Sequence, residues 1–295
     1  MASRAASLLT GFFIVAVLLV VAALVFALTR PPPAPPSLPN PNGYADLVQA
    51  WRMLAENTDD FSTLNEPDLR ILVAKNADAL RLARTGLSRP CQVPLDFSHP
   101  DPSYFTNLAK CKYLAQAFVA EGRLRELENR PGDAADSYDT AIRLGIATSN
   151  GGLIIDSLVG VAIEAIGTVR LEKLAPTLDA KQCRQAAAAI ESSDAGREPV
   201  TAILERERAW SRRVYGLRGQ IARLVMFKSL RQSEQRIVGR VNAQQTRERT
   251  LLIQLASRAY ELETGKPAKN LADLVPAYLK AIPQNPTTGT NMAYP

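Results

Sequence analysis

Histidine occurs once among the 295 residues of this chain, cysteine three times, and aromatic side chains make up 6% of it. Each shortage closes a class of function. A serine–histidine–aspartate triad would have to be built on His99, the sole imidazole, and no Gly-x-Ser-x-Gly turn supplies its serine. A zinc site needs four well-spaced ligands, whereas Cys91, His99 and Cys111 follow the pattern Cys-x7-His-x11-Cys with no second close pair. The glycine-rich phosphate loop and the dinucleotide fingerprint are both missing, and Gly151-Gly152 after Asn150 reads as a turn before a helix. No catalytic residue, cofactor or metal is therefore assigned. Glycine is scarce outside turns while alanine and leucine abound, which favours helices over sheets, and no segment carries a convincing strand period.

Charge is absent from one long run. Residues 8–28, LLTGFFIVAVLLVVAALVFAL, hold no ionisable side chain. At about 1.5 Å per residue such a helix spans roughly the 30 Å of a bilayer core. A cleaved signal peptide has a shorter apolar core followed by small residues, but here Ala27-Leu28-Thr29-Arg30 leads directly into Pro31. The expectation is an uncleaved single-pass anchor over residues 8–29, behind a short flank at 1–7. Arg4 and the α-amino group outweigh Arg30 on the far side, and positive charge favours the cytoplasmic face. The main domain is then periplasmic or extracytoplasmic, with the inner membrane as its site. Residues 30–43 form a linker in which Pro31–Pro41 carries seven prolines in eleven residues, an extended polyproline spacer.

Beyond the linker the helical period is legible. Tyr44–Glu56 places Leu47, Ala50, Trp51 and Leu54 on one face. A helix is expected from Glu66 towards Gly86, with Pro67 in its first turn. A polar loop follows from about Ser88 to Pro102. Helices over Ser103–Asn129 and Gly132–Leu144 are split by Arg130-Pro131. Residues 153–174 are very apolar, but Asp156, Glu164, Arg170 and Glu172 make them a core helix rather than a second span. An alanine-rich helix runs from Asp179 to Ser192. Residues 197–264 read as helices with possible breaks at Gly216, Gly219 and Gly239, and a short helix, Leu271–Leu279, belongs to the tail at 265–295. The whole is an all-α fold of stacked hairpins, with 44–196 as its first helical domain.

Gly122, the turn Asn129-Arg130-Pro131-Gly132-Asp133, and Ala134, Tyr138 and Ala141 resemble one tetratricopeptide repeat over residues 115–145, with Asn129 where such turns usually have glycine. An ordinary helical hairpin with alanines at its contact fits the same residues. Only the repeat implies a concave face for a protein partner. The C-terminal stretch resembles a tail found on uncharacterised, membrane-anchored bacterial proteins. It matches at Tyr260, Glu263, Gly265, Lys266, Leu271, Leu274, Val275, Pro276, Tyr278, Leu279, Pro283, Pro286, Gly289 and Tyr294, with Asn285 in place of aspartate. The same ending is similar to that of type II secretion pseudopilins. Those have glutamate at the fifth position of the apolar helix, where this chain has Ala16.

Two further features carry expectations. Cys91 and Cys111 bracket the polar loop and would close it by a disulfide in an oxidising compartment, or remain free thiols; Cys183 on the alanine-rich helix reads as a buried free thiol. Residues 197–249 hold thirteen basic against five acidic residues, a net of +8 in a chain whose formal charge is +6. Arg206, Arg208, Arg212, Arg213, Arg218, Arg223, Lys228 and Arg231 form the candidate surface for anionic lipid headgroups or an acidic partner. An extracytoplasmic position argues against nucleic acid. The expected function is a membrane-anchored, non-catalytic scaffold or interaction module. The alternatives are a cell-envelope enzyme using carboxylates and a pseudopilin-like secretion component.

Overall fold

In the computed structural model, the described residues are 13, 15–19, 22, 37–55, 61, 64–97 and 104–294. Among them the order is α1 (Gly43–Arg52), α2 (Glu66–Lys75), α3 (Ala77–Leu87), α4 (Tyr104–Leu127), α5 (Pro131–Ser149), α6 (Ile154–Leu174) and α7 (Ala180–Ala195), then the long α8 (Val200–Val225) and α9 (Phe227–Thr264). Short 3₁₀ turns cover Ala175–Thr177 and Leu271–Leu274. The all-α class expected from composition holds: among the described residues no strand forms, and one antiparallel bridge pairs Gln284 with Asn291. No helix of the described residues is long and apolar enough to cross a membrane. Most of the apolar run at 8–29, the linker up to Pro36 and His99 lie outside the described residues.

Local chemistry sets most boundaries. Asn65 caps α2 by accepting from the Asp68 amide at 3.0 Å, with Pro67 in the first turn as expected. The helix anticipated from Glu66 to Gly86 is in fact two, because Asn76 interrupts it. Its buried amide donates to the Leu72 carbonyl at 2.9 Å and its oxygen accepts from the Ala55 amide at 2.9 Å. Side chains of this kind compete with the helix for backbone partners. Asp179 and Gln182 form a reciprocal capping box at the start of α7. Asn129 adopts φ 56° in the α4–α5 turn, a conformation asparagine tolerates better than most side chains.

The centre of the molecule is the antiparallel stack α4–α5–α6, in which α5 and α6 pack most extensively. α5 is buried along much of its length, and Tyr138 lies fully inside with its ring against Gly122 of α4. The α5–α6 approach is close because glycines face it. A methyl group at Gly167 would stand 2.6 Å from the Tyr138 carbonyl oxygen, and one at Gly160 would stand 2.5 Å from that of Gly145. Backbone cannot yield at such distances as a flexible side chain can.

α9 belongs to the core through its second half, where Leu251, Leu252, Ile253, Leu255, Ala256 and Ala259 are buried. α7 and the tail cover it. Residues of the tail act here as a clasp. Arg184 of α7 donates to both carboxylate oxygens of Glu263, at 3.2 and 3.0 Å, and to the Ala277 carbonyl at 2.9 Å. Its guanidinium lies 4.8 Å from the ring centre of Tyr278, whose hydroxyl donates to Glu263 at 2.7 Å. Tyr260 meets Tyr278 edge to face at 5.5 Å. Gly265, at φ 71°, ends α9 in the left-handed conformation.

Two glycine substitutions should therefore move stability in opposite directions. Gly167→Ala should cost about 1–3 kcal/mol through overpacking, despite the better helix propensity of alanine. Gly239→Ala lies mid-α9, exposed with nothing within 4 Å, and should stabilise by up to about 1 kcal/mol. Denaturant unfolding of both variants measures the contrast, and equal effects would contradict the packing described.

Candidate interaction surface

The basic segment expected from the sequence forms an arm. α8 leaves the core after Pro199, turns at Met226, and returns as the first half of α9. Gly216, at φ 54° and ψ −142°, puts a non-helical kink in α8, as one of the anticipated breaks; α9 continues unbroken through Gly239. From Arg212 to Arg240 the chain has eight basic residues and a single acid, Glu234. Towards the turn, Tyr215, Ile221 and Met226 are each about half exposed (50%, 51% and 53%). The arm thus exposes both cationic and apolar groups.

The candidate basic residues differ in their surroundings. Arg206 is committed to the base of the arm, where it pairs with Glu198 and donates to the Gly152 carbonyl at 2.7 Å. Beside it, Glu207 accepts from the Ile154 amide at 3.0 Å, placing a negative charge at the start of α6. Arg208 bridges the two arms of the hairpin by an ion pair with Glu234 at 2.8 Å. Arg213 stacks at 5.7 Å over Phe97 of the 92–97 segment, and Trp210 donates to the Asp96 carbonyl of that segment at 2.7 Å. Arg212 points its Nε into a buried position without a hydrogen-bond partner. Arg218 and Arg223 lie on α8, with their side chains outside the described set. Lys228 and Arg231 are exposed on α9, and Arg236 and Arg240 are exposed further along it towards the core. Among the described side chains the surface is thus carried chiefly by α9, and Arg206 is excluded from it by its structural partners.

Where the arm joins the core lies a buried ionic cluster that charge counting could not reveal. Arg197, 9% exposed at its side chain, donates to Glu164 of α6 at 2.8 Å and to Glu248 of α9 at 2.5 Å. Asp194 stands 3.5 Å from its Nε and is held in turn by Arg249 at 2.7 Å and by the Gln245 amide at 2.7 Å. Glu248 also accepts from Gln244 at 2.8 Å. Burial, and then the charge of Glu164, pushes the Glu248 carboxyl up to about 8. Near neutrality the protonated form of Glu248 is therefore favoured. Arg197 and Glu164 are left as a balanced ion pair. Paired carboxylates are a familiar catalytic device, but Glu164 and Glu248 are sealed from solvent at 0% and 1% exposure. They join helices rather than meet a substrate.

Cys91, Cys111 and the buried Cys183 form no disulfide in this structure. Cys91 lies 3.5 Å from the carbonyls of Gly86 and Arg89, and burial followed by Asp46 pushes its thiol up to about 11. Cys111 is enclosed in α4, where burial raises its thiol still further. Among the described residues no group of three or more histidine, cysteine or acidic side chains could hold a metal ion. Comparison with protein-family models, with curated proteins and with solved structures finds no match.

The raised Glu248 carboxyl has a consequence for stability. Its folded-state pKa exceeds the roughly 4.3 of an unfolded glutamate, so the folded chain holds more protons between these values. This contribution is complete below the unfolded value and is lost as pH rises through about 8. Glu248→Gln mimics the protonated form and should flatten the fall in melting temperature between pH 6 and 8 by removing that group's share. Arg197→Met leaves Glu164 buried without its cation and should cost about 3–5 kcal/mol.

Proposed function

We propose that this chain is a membrane-tethered, non-catalytic binding module whose α8–α9 arm rests on an anionic bilayer surface. The observation that carries the reading is the arm's mixed character. Lys228, Arg231, Arg236 and Arg240 are exposed on α9, while Tyr215, Ile221 and Met226 are exposed near its turn. A polar acidic partner would match the charge alone. Interfacial helices combine basic side chains with apolar groups that enter the acyl boundary. Each basic side chain near an anionic leaflet contributes about 1 kcal/mol, an attraction weakened by salt.

The tether is the uncharged run at residues 8–28. Its described members Phe13, Val15, Leu18 and Leu19 are helical and 55–68% exposed, as lipid-facing side chains would be. The charge balance across it favours an inner-membrane protein with its N-terminus inside and the helical domain on the extracytoplasmic side. The tetratricopeptide-like hairpin α4–α5 offers a second place for a protein partner. Its support is the turn at Asn129 and the Gly122–Tyr138 contact that the repeat pattern anticipates.

The segment 43–295, freed of the apolar run, should sediment with phosphatidylglycerol vesicles at about 50 mM salt and dissociate at about 0.5 M. Phosphatidylcholine vesicles should not retain it. Changing Lys228, Arg231 and Arg236 together to glutamine should weaken binding roughly 100-fold, from about 1 kcal/mol each. No binding at low salt would exclude the surface. A reporter joined after Pro295 tests the topology independently, and a cytoplasmic signal would overturn it.

A further inference from the structure

A second site lies away from the arm, in the groove between α5 and α7. One part of it is a cleft of about 450 Å³ whose lining includes Asp139 and Arg143 of α5, Arg89 after α3, and Ser192 and Ser193 of α7. Asp139 also lines the adjoining hollow of about 540 Å³, together with Asp133, Asp136 and Asp179. It therefore stands at the waist of a groove that is basic on one side and mainly acidic on the other.

Asp139 is the unusual member. It is 4% exposed, its Oδ1 is buried without a hydrogen-bond partner, and among the described residues it joins no ion pair. Arg143 is one turn further along the same helix, at the i,i+4 spacing where acid and base ordinarily meet. The two do not pair. Arg143 instead donates through Nη2 to the Leu87 carbonyl at 2.9 Å, which holds it off the acid. Burial pushes the Asp139 carboxyl up to about 7; Arg143 opposes the rise and Asp136 adds to it. A buried carboxyl with no partner is costly unless something supplies a donor.

We propose that this cleft binds a small dipolar molecule bearing an amine and a carboxylate, the amine received by Asp139 and the carboxylate by Arg143. Asp139 then gains the donor it lacks, and Arg143 gains an anion while its hold on Leu87 is kept. Arg89 carries part of its charge to Asp46, at 2.7 Å, and adds to the positive side of the cleft. Side chains at this helical spacing have Cβ atoms about 5–6 Å apart. A ligand whose two charges are separated by several bonds spans them better than an α-amino acid does. The inference is independent of the arm's role at a membrane.

Titration calorimetry of the full chain with 4-aminobutyrate, 6-aminohexanoate and glycine tests this, with butyrate and butylamine as single-charge controls. One of the two longer dipolar probes should bind at least tenfold tighter than glycine and either control. Asp139→Asn removes the acid while keeping its shape, and should abolish that preference without lowering the melting temperature. Arg143→Gln should weaken the dipolar probe to the level of butylamine. Three results would each overturn the proposal: no heat from any probe up to about 20 mM, controls that bind as well as the dipolar probes, or an unchanged preference in Asp139→Asn.

Discussion

The placement of one cation, Arg197, governs how the parts of this molecule are joined. It sits where α7 ends and the chain departs towards the arm, and it reaches Glu164 on α6 and Glu248 on α9 at once. Three helices distant in sequence therefore share one charge. Burial favours the protonated form of Glu248 up to about 8, which limits the negative charge this buried set carries. Hydrophobic burial could have joined the same helices. It would not have specified so narrowly the register at which α9 crosses α6, since a guanidinium fork admits few positions for its carboxylates. The neighbouring links from Asp194 to Arg249 and Gln245 extend that register along α9.

Around this junction the two halves are built on different principles. The α4–α5–α6 stack depends on small residues, with glycine and alanine allowing backbones to approach and Tyr138 filling the space against Gly122. The α7–α9 half is closed by the clasp of Arg184, Glu263 and Tyr278. Through it Tyr260, Tyr278 and Glu263 hold the end of the chain against α7.

Much of the helical order was legible from periodicity and proline positions, and the Arg130-Pro131 break and the alanine-rich helix beginning at Asp179 stand where the sequence puts them, although the capping role of Asp179 was not foreseen. Asn76 was missed because an asparagine inside an apolar period looks tolerable until its tertiary partner, the Ala55 amide, is known. Gly239 looked like a break, yet helix neighbours on both sides carry the chain through it. The basic surface was legible as composition but not as membership. Only three-dimensional contacts separate Arg206, spent on Glu198 and Gly152, from Lys228 and Arg231. Glu164 could be recognised as a polar residue in an apolar helix, but nothing in sequence connects it with a glutamate eighty-four positions later. The α5–α7 groove was hidden for a similar reason. Asp139 is unremarkable in the sequence and acquires its character from what fails to approach it.

The continuity of α9 has a mechanical consequence. At about 1.5 Å per residue, its 38 residues make a rod roughly 57 Å long, one end in the arm and the other in the core. A force applied at the tip is not absorbed by a loop between arm and body, because on this side there is none. It becomes a torque about the point where Arg197 grips Glu248, and the far end of the rod presses on the tail clasp. The kink at Gly216 leaves the other strut of the hairpin compliant. Bending of the arm should therefore be read out asymmetrically, through α9 rather than α8.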